Sequence, residues 1–243
     1  MTAESTANAP QPPGASLTRR SDRWTDLGLT LPIFLLYHLG VVFLPVQNAA
    51  DPVTRELRAL ANQSFAAYAG LTLAIGAAFV VVLLAFGQRK TLEAKRFVWI
   101  GAEGAVYAVA MRFAGAYAVG SLRLAPAGVQ GPFAGLVMAL GAGFYEEIAF
   151  RVALFGGGAL FLKKLFAGRQ VSRWMLTCIW ALVAACVFSG WHYFGELGDP
   201  WDTPSFVFRA ACGVVLTAIF VFRGFAPAVW THALYDVWVL VLG

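Results

Sequence analysis

Seven stretches of this chain are apolar for long enough, or nearly long enough, to cross a lipid bilayer. They run approximately over 27–45, 65–86, 98–120, 133–162, 174–194, 206–222 and 225–242. A helix needs roughly 20 apolar residues to cover a hydrocarbon core of about 30 Å. The pattern therefore predicts an all-α, polytopic membrane bundle of about seven transmembrane helices. The run over 133–162 exceeds a perpendicular span, so it must tilt or extend beyond the bilayer. The last two runs are separated only by Arg223 and Gly224, which requires a tight turn. With 59% hydrophobic and 13% charged residues the chain is far from the composition of a soluble domain.

A formal net charge of +5 would suit a nucleic-acid binder if the cations lay along one face. They lie instead in short clusters between apolar runs, which excludes nucleic acid as a partner and reads as a topology signal. Arg19, Arg20 and Arg23 precede the first run, and Arg89, Lys90, Lys95 and Arg96 follow the second. Lys163, Lys164, Arg169 and Arg173 follow the fourth, and Arg223 follows the sixth. These twelve of 18 basic residues fall on one side. The other side holds Arg55, Arg58 and Arg123, together with the purely acidic loop GELGDPWDTP. The positive-inside rule then puts the N-terminus in the cytoplasm and the C-terminus outside. Trp24, Trp99, Trp174, Trp191 and Trp201 fall near span ends, where interfacial aromatics belong. Residues 1–25 have no apolar stretch, so they read as a flexible cytoplasmic tail and not a cleaved signal, leaving 26–243 as a single membrane-embedded domain. Cys178, Cys186 and Cys212 lie in apolar runs without metal spacing and read as packing residues.

Against that apolar background, ionisable residues are informative, because a charge inside a bilayer costs several kcal/mol unless paired or wetted. The candidates are Glu103, Arg112, Glu146, Glu147, Arg151, His192, Arg209, His232 and Asp236. In the stretch GFYEEIAFRVALF, α-helical geometry turns the two adjacent carboxylates about 100° apart. Arg151 follows Glu147 by four residues, the spacing of an ion pair on one face. Glu146 is then left without a partner on its own helix. His192 ends FSGWH, with Phe188 one turn earlier, and His232 begins HALYD, with Asp236 one turn later. A Glu, two His and an Asp from three runs can converge on one polar site, with Glu146 as general base and a histidine as partner or electrophile. His38, alone in the first run, reads as a satisfied hydrogen-bonding residue.

These stretches resemble a known set of motifs. EEIAFR at 146–151 is similar to EExxxR, FSGWH at 188–192 to FxxxH, and HALYD at 232–236 to HxxxN or HxxxD of the CPBP family, which comprises CAAX proteases and bacteriocin-processing enzymes. The resemblance implies an intramembrane glutamic endopeptidase with a catalytic core over about 133–243. Under it, Glu146 and His192 activate water, and His232 with Asp236 stabilises or orients the oxyanion site. Glu147, Arg151 and Phe188 act in support. The eukaryotic CAAX branch has Asn where this chain has Asp236. An ionised carboxylate would repel an oxyanion, so Asp236 is either protonated or serves to orient His232. The implied substrate is a membrane-associated protein or peptide tail, either a lipidated cysteine segment or a C-terminal sorting tail of the kind trimmed by myxosortase-like bacterial members. The implied location is the inner (plasma) membrane, multi-pass.

Two other readings remain open. Two histidines and a carboxylate are also a common catalytic zinc set, although HExxH is absent; on the glutamic reading no cofactor is needed. A non-catalytic transporter or scaffold could use Glu103, Arg112 and Arg209 as a polar path. Glu103 and Arg112 fall on opposite helix faces, which favours pairing between helices instead. Hydrolysis requires water, so a hydrated cavity should reach the site from one face, with GAG at 141–143 and GGG at 156–158 allowing close helix approach. Counting along the runs puts Glu146 and His232 near mid-membrane but His192 near the outer end of its span.

Overall fold

The computed structural model describes residues 23–44, 47–62, 64–86, 93–120, 131–167, 172–195 and 198–242. Among these residues every regular element is a helix. The helices are α1 (Arg23–Leu29), α2 (Leu31–Phe43), α3 (Pro52–Leu60), α4 (Phe65–Phe86), α5 (Ala94–Val119), α6 (Pro132–Leu165), α7 (Arg173–Trp191), α8 (Thr203–Phe222) and α9 (Phe225–Leu242). Helices α4 to α9 are each long and apolar enough to cross a membrane, which makes the chain a polytopic helical bundle. The tail expected over 1–25 falls, except for its last three residues, outside the described residues.

The first apolar run differs from its expected form. It is broken at Thr30 into α1 and the 13-residue α2, so the described residues hold six full-length candidate spans and one shorter apolar helix. Pro32 in the first turn of α2 has no N–H to continue a helical ladder, and the Thr30 hydroxyl donates to the Leu27 carbonyl at 2.7 Å, closing α1. The segment between the first two runs also holds a helix, α3. Asp51 caps it by accepting from the Thr54 N–H at 3.0 Å, and Pro52 begins it. Arg58 on α3 reaches back to the terminal carbonyls of α2, Val41 at 3.3 Å and Leu44 at 2.9 Å.

Helix α6 changes its winding along its length. Pro132–Gly141 is α-helical, Ala142–Gly157 has the wider i→i+5 winding, and Gly158–Leu165 is α-helical again. Wide turns of this type are rare and concentrate at functional sites. The 100° step between Glu146 and Glu147 assumed from the sequence is therefore not the geometry of this segment.

Helix α9 packs against α5, α6 and α8. Two glycines permit its approach: a Cβ on Gly104 of α5 would come within 3.1 Å of the Trp230 carbonyl carbon, and one on Gly143 of α6 within 2.8 Å of the Ala233 nitrogen. The start of α9 is held by Asp26, whose carboxylate accepts from the Phe225 N–H at 2.7 Å. The turn before it is tied to α5, since Arg223 donates to both oxygens of Glu103 at 2.5 and 3.0 Å. That hydrogen bonding raises the Arg223 pKa above its ordinary value and keeps the guanidinium charged. On the other flank, α2 packs on α6 through the buried cluster of Phe34, Tyr37, Phe144 and Tyr145.

Candidate active site

The wide winding of α6 carries Glu146, Glu147 and Arg151 into the interior, where they are 5%, 0% and 1% exposed. Isolated charges at such depth would be prohibitive, so their partners decide what the cluster is. Arg151 Nη1 lies 3.0 Å from Glu147 Oε1, and its guanidinium also stacks 4.2 Å over the Phe188 ring of α7. The same Glu147 oxygen lies 2.7 Å from His232 Nδ1 on α9. Glu147 thus binds α9 as well as bracing its own helix.

His232 consequently faces carboxylates on both ring nitrogens. A carboxylate only accepts, so Nδ1 bears the proton that it donates to Glu147, and Nε2 is directed elsewhere. Nε2 lies 3.9 Å from Glu146 Oε2 and 3.5 Å from Asp236 Oδ2. Neither separation is a direct hydrogen bond.

His192 is fixed by the motif it ends. It caps the C-terminus of α7, and its Nδ1 lies 3.0 Å from the Phe188 carbonyl one turn back. A carbonyl accepts only, so here too Nδ1 carries the proton and Nε2 faces the site, 4.0 Å from Glu146 Oε2. The Phe188 ring stands edge-on between the histidines, with centroids 5.2 Å from His192 and 5.8 Å from His232. The groups singled out from the sequence thus converge: Glu146, Glu147 and Arg151 from α6, Phe188 and His192 from α7, and His232 and Asp236 from α9. The mismatch in depth disappears because His192 stands at the helix end beside a cavity that reaches inward to Glu146.

That cavity has a volume of about 560 Å³. Glu146, His192, His232 and Asp236 line it, and it extends to Asp199, Pro200 and Asp202 of the exposed α7–α8 loop. Arg112 and Arg209 are also on its wall, whereas Glu103 is paired away from it with Arg223. Arg209 donates to Asp199 at 2.6 Å, and the Arg112 guanidinium lies 5.6 Å from the Phe208 ring centroid. His38 on α2 is satisfied by the Tyr145 hydroxyl at 2.8 Å. Among the described residues no three His, Cys, Asp or Glu side chains form a group that could hold a metal ion.

One cavity residue has no counterpart in the sequence reading. Asn48, buried between α2 and α3, donates from Nδ2 to Glu146 Oε1 at 2.8 Å. It belongs to no apolar period and no motif; its only nearby signal is the Asp51-Pro52 helix start three residues on. With Oε1 so occupied, Glu146 Oε2 is buried and has no hydrogen-bond partner among the described residues.

Residues 128–238 match a family model described as type II CAAX prenyl endopeptidase Rce1-like. No curated protein and no solved structure matches the chain. The matched region holds Glu146, Glu147, Arg151, Phe188, His192, His232 and Asp236, and leaves out Asn48 and Arg112.

Proposed function

We propose that this chain, whose residues 128–238 match the type II CAAX prenyl endopeptidase Rce1-like family model, is an intramembrane glutamic endopeptidase in which Glu146 is the general base. One observation carries the reading. Glu146 Oε2, without a hydrogen-bond partner among the described residues, lies 4.0 Å from His192 Nε2 and 3.9 Å from His232 Nε2, gaps too long for hydrogen bonds and suited to one shared water.

In this mechanism water is held between Glu146 Oε2 and His192 Nε2. Glu146 takes its proton while the oxygen attacks the scissile carbonyl carbon, and the carbonyl electrons move onto the oxygen. His232, donating Nδ1–H to Glu147, also bears a proton on Nε2 and gives that hydrogen bond to the oxyanion. Asp236 steadies the imidazolium and does not meet the oxyanion itself. Collapse of the intermediate breaks the C–N bond, and Glu146 returns its proton to the leaving amine. The substrate is the tail of a membrane-associated protein, either a lipidated cysteine segment or a C-terminal sorting tail.

The test is cleavage of a quenched fluorescent peptide with a farnesylated C-terminal CAAX tail, together with mass spectrometry of membrane-protein termini. Glu146→Gln should lower cleavage by roughly 10²–10⁴-fold while leaving insertion and melting temperature unchanged, and the corresponding uncleaved tails should accumulate in cells. Full activity of that variant would sink the general-base assignment. The same assay addresses zinc: we expect no loss after exhaustive chelation, and an activity abolished by chelator and restored by zinc would overturn the metal-free mechanism.

The orientation follows from charge. The cavity is lined at an exposed end by Asp199, Pro200 and Asp202 of the acidic α7–α8 loop, on the side opposite the basic loops, and with a cytoplasmic N-terminus the positive-inside rule turns that end outward. Asp202→Cys, in a protein with its three native cysteines replaced by Ser, should react with a membrane-impermeant maleimide in intact cells. Labelling confined to inverted vesicles would reverse the orientation.

A further inference from the structure

We propose that Asn48 is a positioning residue for the reaction: its side-chain amide occupies one oxygen of Glu146 and thereby commits the other to water. This rests on the reading of Glu146 as general base, but on observations outside the motifs and outside the matched region.

Asn48 is 4% exposed, and its hydrogen-bonding groups are occupied from several directions. Its backbone N–H donates to the Tyr37 hydroxyl at 3.1 Å, and its backbone carbonyl accepts from the Asp51 N–H at 3.0 Å. Oδ1 accepts from the Ala50 N–H at 2.8 Å. The Tyr37 hydroxyl donates in turn to Asp51 at 2.7 Å, tying the turn to α2 and to the cap of α3. These contacts fix the sense of the amide. An N–H fills the Oδ1 side, so the donor Nδ2 must point at Glu146, and a flip would put an oxygen against a carboxylate and an NH₂ against an N–H. A buried carboxylate with two free oxygens could rotate or bind water through either one. Donation to Oε1 removes that choice and leaves Oε2 aimed at His192 and His232.

The turn and the donor separate cleanly by substitution. Asn48→Asp keeps an acceptor for the Ala50 N–H, so the turn survives, but it replaces the donor to Glu146 with a second acceptor. Asn48→Ala loses both. A residue that merely builds the turn predicts that Ala is the worse replacement, whereas a positioning residue predicts that Asp is at least as damaging. With the farnesylated CAAX peptide and the full-length protein, we expect kcat to fall roughly 10- to 100-fold in both variants. KM should stay within about twofold, Asp should be no better than Ala, and the melting temperature of the Asp variant should match the parent. A second readout needs no substrate. A hydrophobic carbodiimide reacts with protonated intramembrane carboxyls, and mass spectrometry should find Glu146 labelled faster in both variants than in the parent.

Parental kcat in Asn48→Asp, or losses that follow melting temperature with Ala the worse, would overturn the proposal, as would unchanged carbodiimide labelling of Glu146. If Glu146→Gln is inert while Asn48→Asp is fully active, only the role of Asn48 fails. If Glu146→Gln cleaves normally, the base assignment beneath it fails as well.

Discussion

Helices α4 and α6 both qualify as membrane spans, yet they solve opposite problems. The apolar window of α4 is 22% buried within the protein and α4 has no Asp, Glu, His, Lys or Arg, whereas the window of α6 is 67% buried and α6 carries Glu146, Glu147 and Arg151. The more apolar helix is the one that faces outward. In water this would be inverted, because burial and hydrophobicity go together there. In lipid, apolar side chains already have a favourable solvent, so what gains from enclosure is a polar group with a partner. The enclosed run of this pair is marked by its partnered carboxylates and not by low hydropathy as such, since α5 has the lowest hydropathy of the six candidate spans and its window is also only 22% buried.

The sharpest way to break this contrast is to remove the cation that lets α6 carry its charges. Arg151→Met keeps the bulk of the side chain but leaves Glu147 to be neutralised by His232 alone, in a site where both are buried. Loss of one member of such a pair costs on the order of 3–5 kcal/mol. We expect a strongly lowered melting temperature together with loss of cleavage. A variant that stayed as stable as the parent would show that Glu147 does not need Arg151, and the contrast would then rest on packing alone.

The spans were legible because the bilayer demands about 20 apolar residues regardless of tertiary context. The polar residues of the site were legible for the related reason that lipid makes each of them costly. What escaped had no such penalty attached. The wide winding of Ala142–Gly157 changes the hydrogen-bond register without any compositional signal, so a 100° argument separated Glu146 from Glu147 although both end beside His232. The break at Thr30 was hidden within a continuous apolar run, despite Pro32. Asn48 lies between runs, where a polar residue is unremarkable, and only the fold brings it to Glu146 across 98 positions of sequence.

Smaller effects come from single methyl groups, and here α4 and α6 should part again. A Cβ on Gly143 of α6 would stand 2.6 Å from the Ala233 Cβ and 2.8 Å from its nitrogen. Backbone cannot swing aside as a flexible side chain can, so α9 has to shift, and Ala233 is bonded to His232. Overpacking of this kind costs about 1–3 kcal/mol. Gly143→Ala should therefore lower kcat more than its modest loss of thermal stability suggests, by moving Nε2 relative to Glu146. A Cβ on Gly70 of α4 meets nothing within 4 Å. Gly70→Ala adds only helix propensity, up to about 1 kcal/mol in its favour, and cleavage should stay at the parental rate. Equal responses in the two helices would mean that the outward-facing span is as tightly fitted as the inward one, and that enclosure is not what distinguishes them.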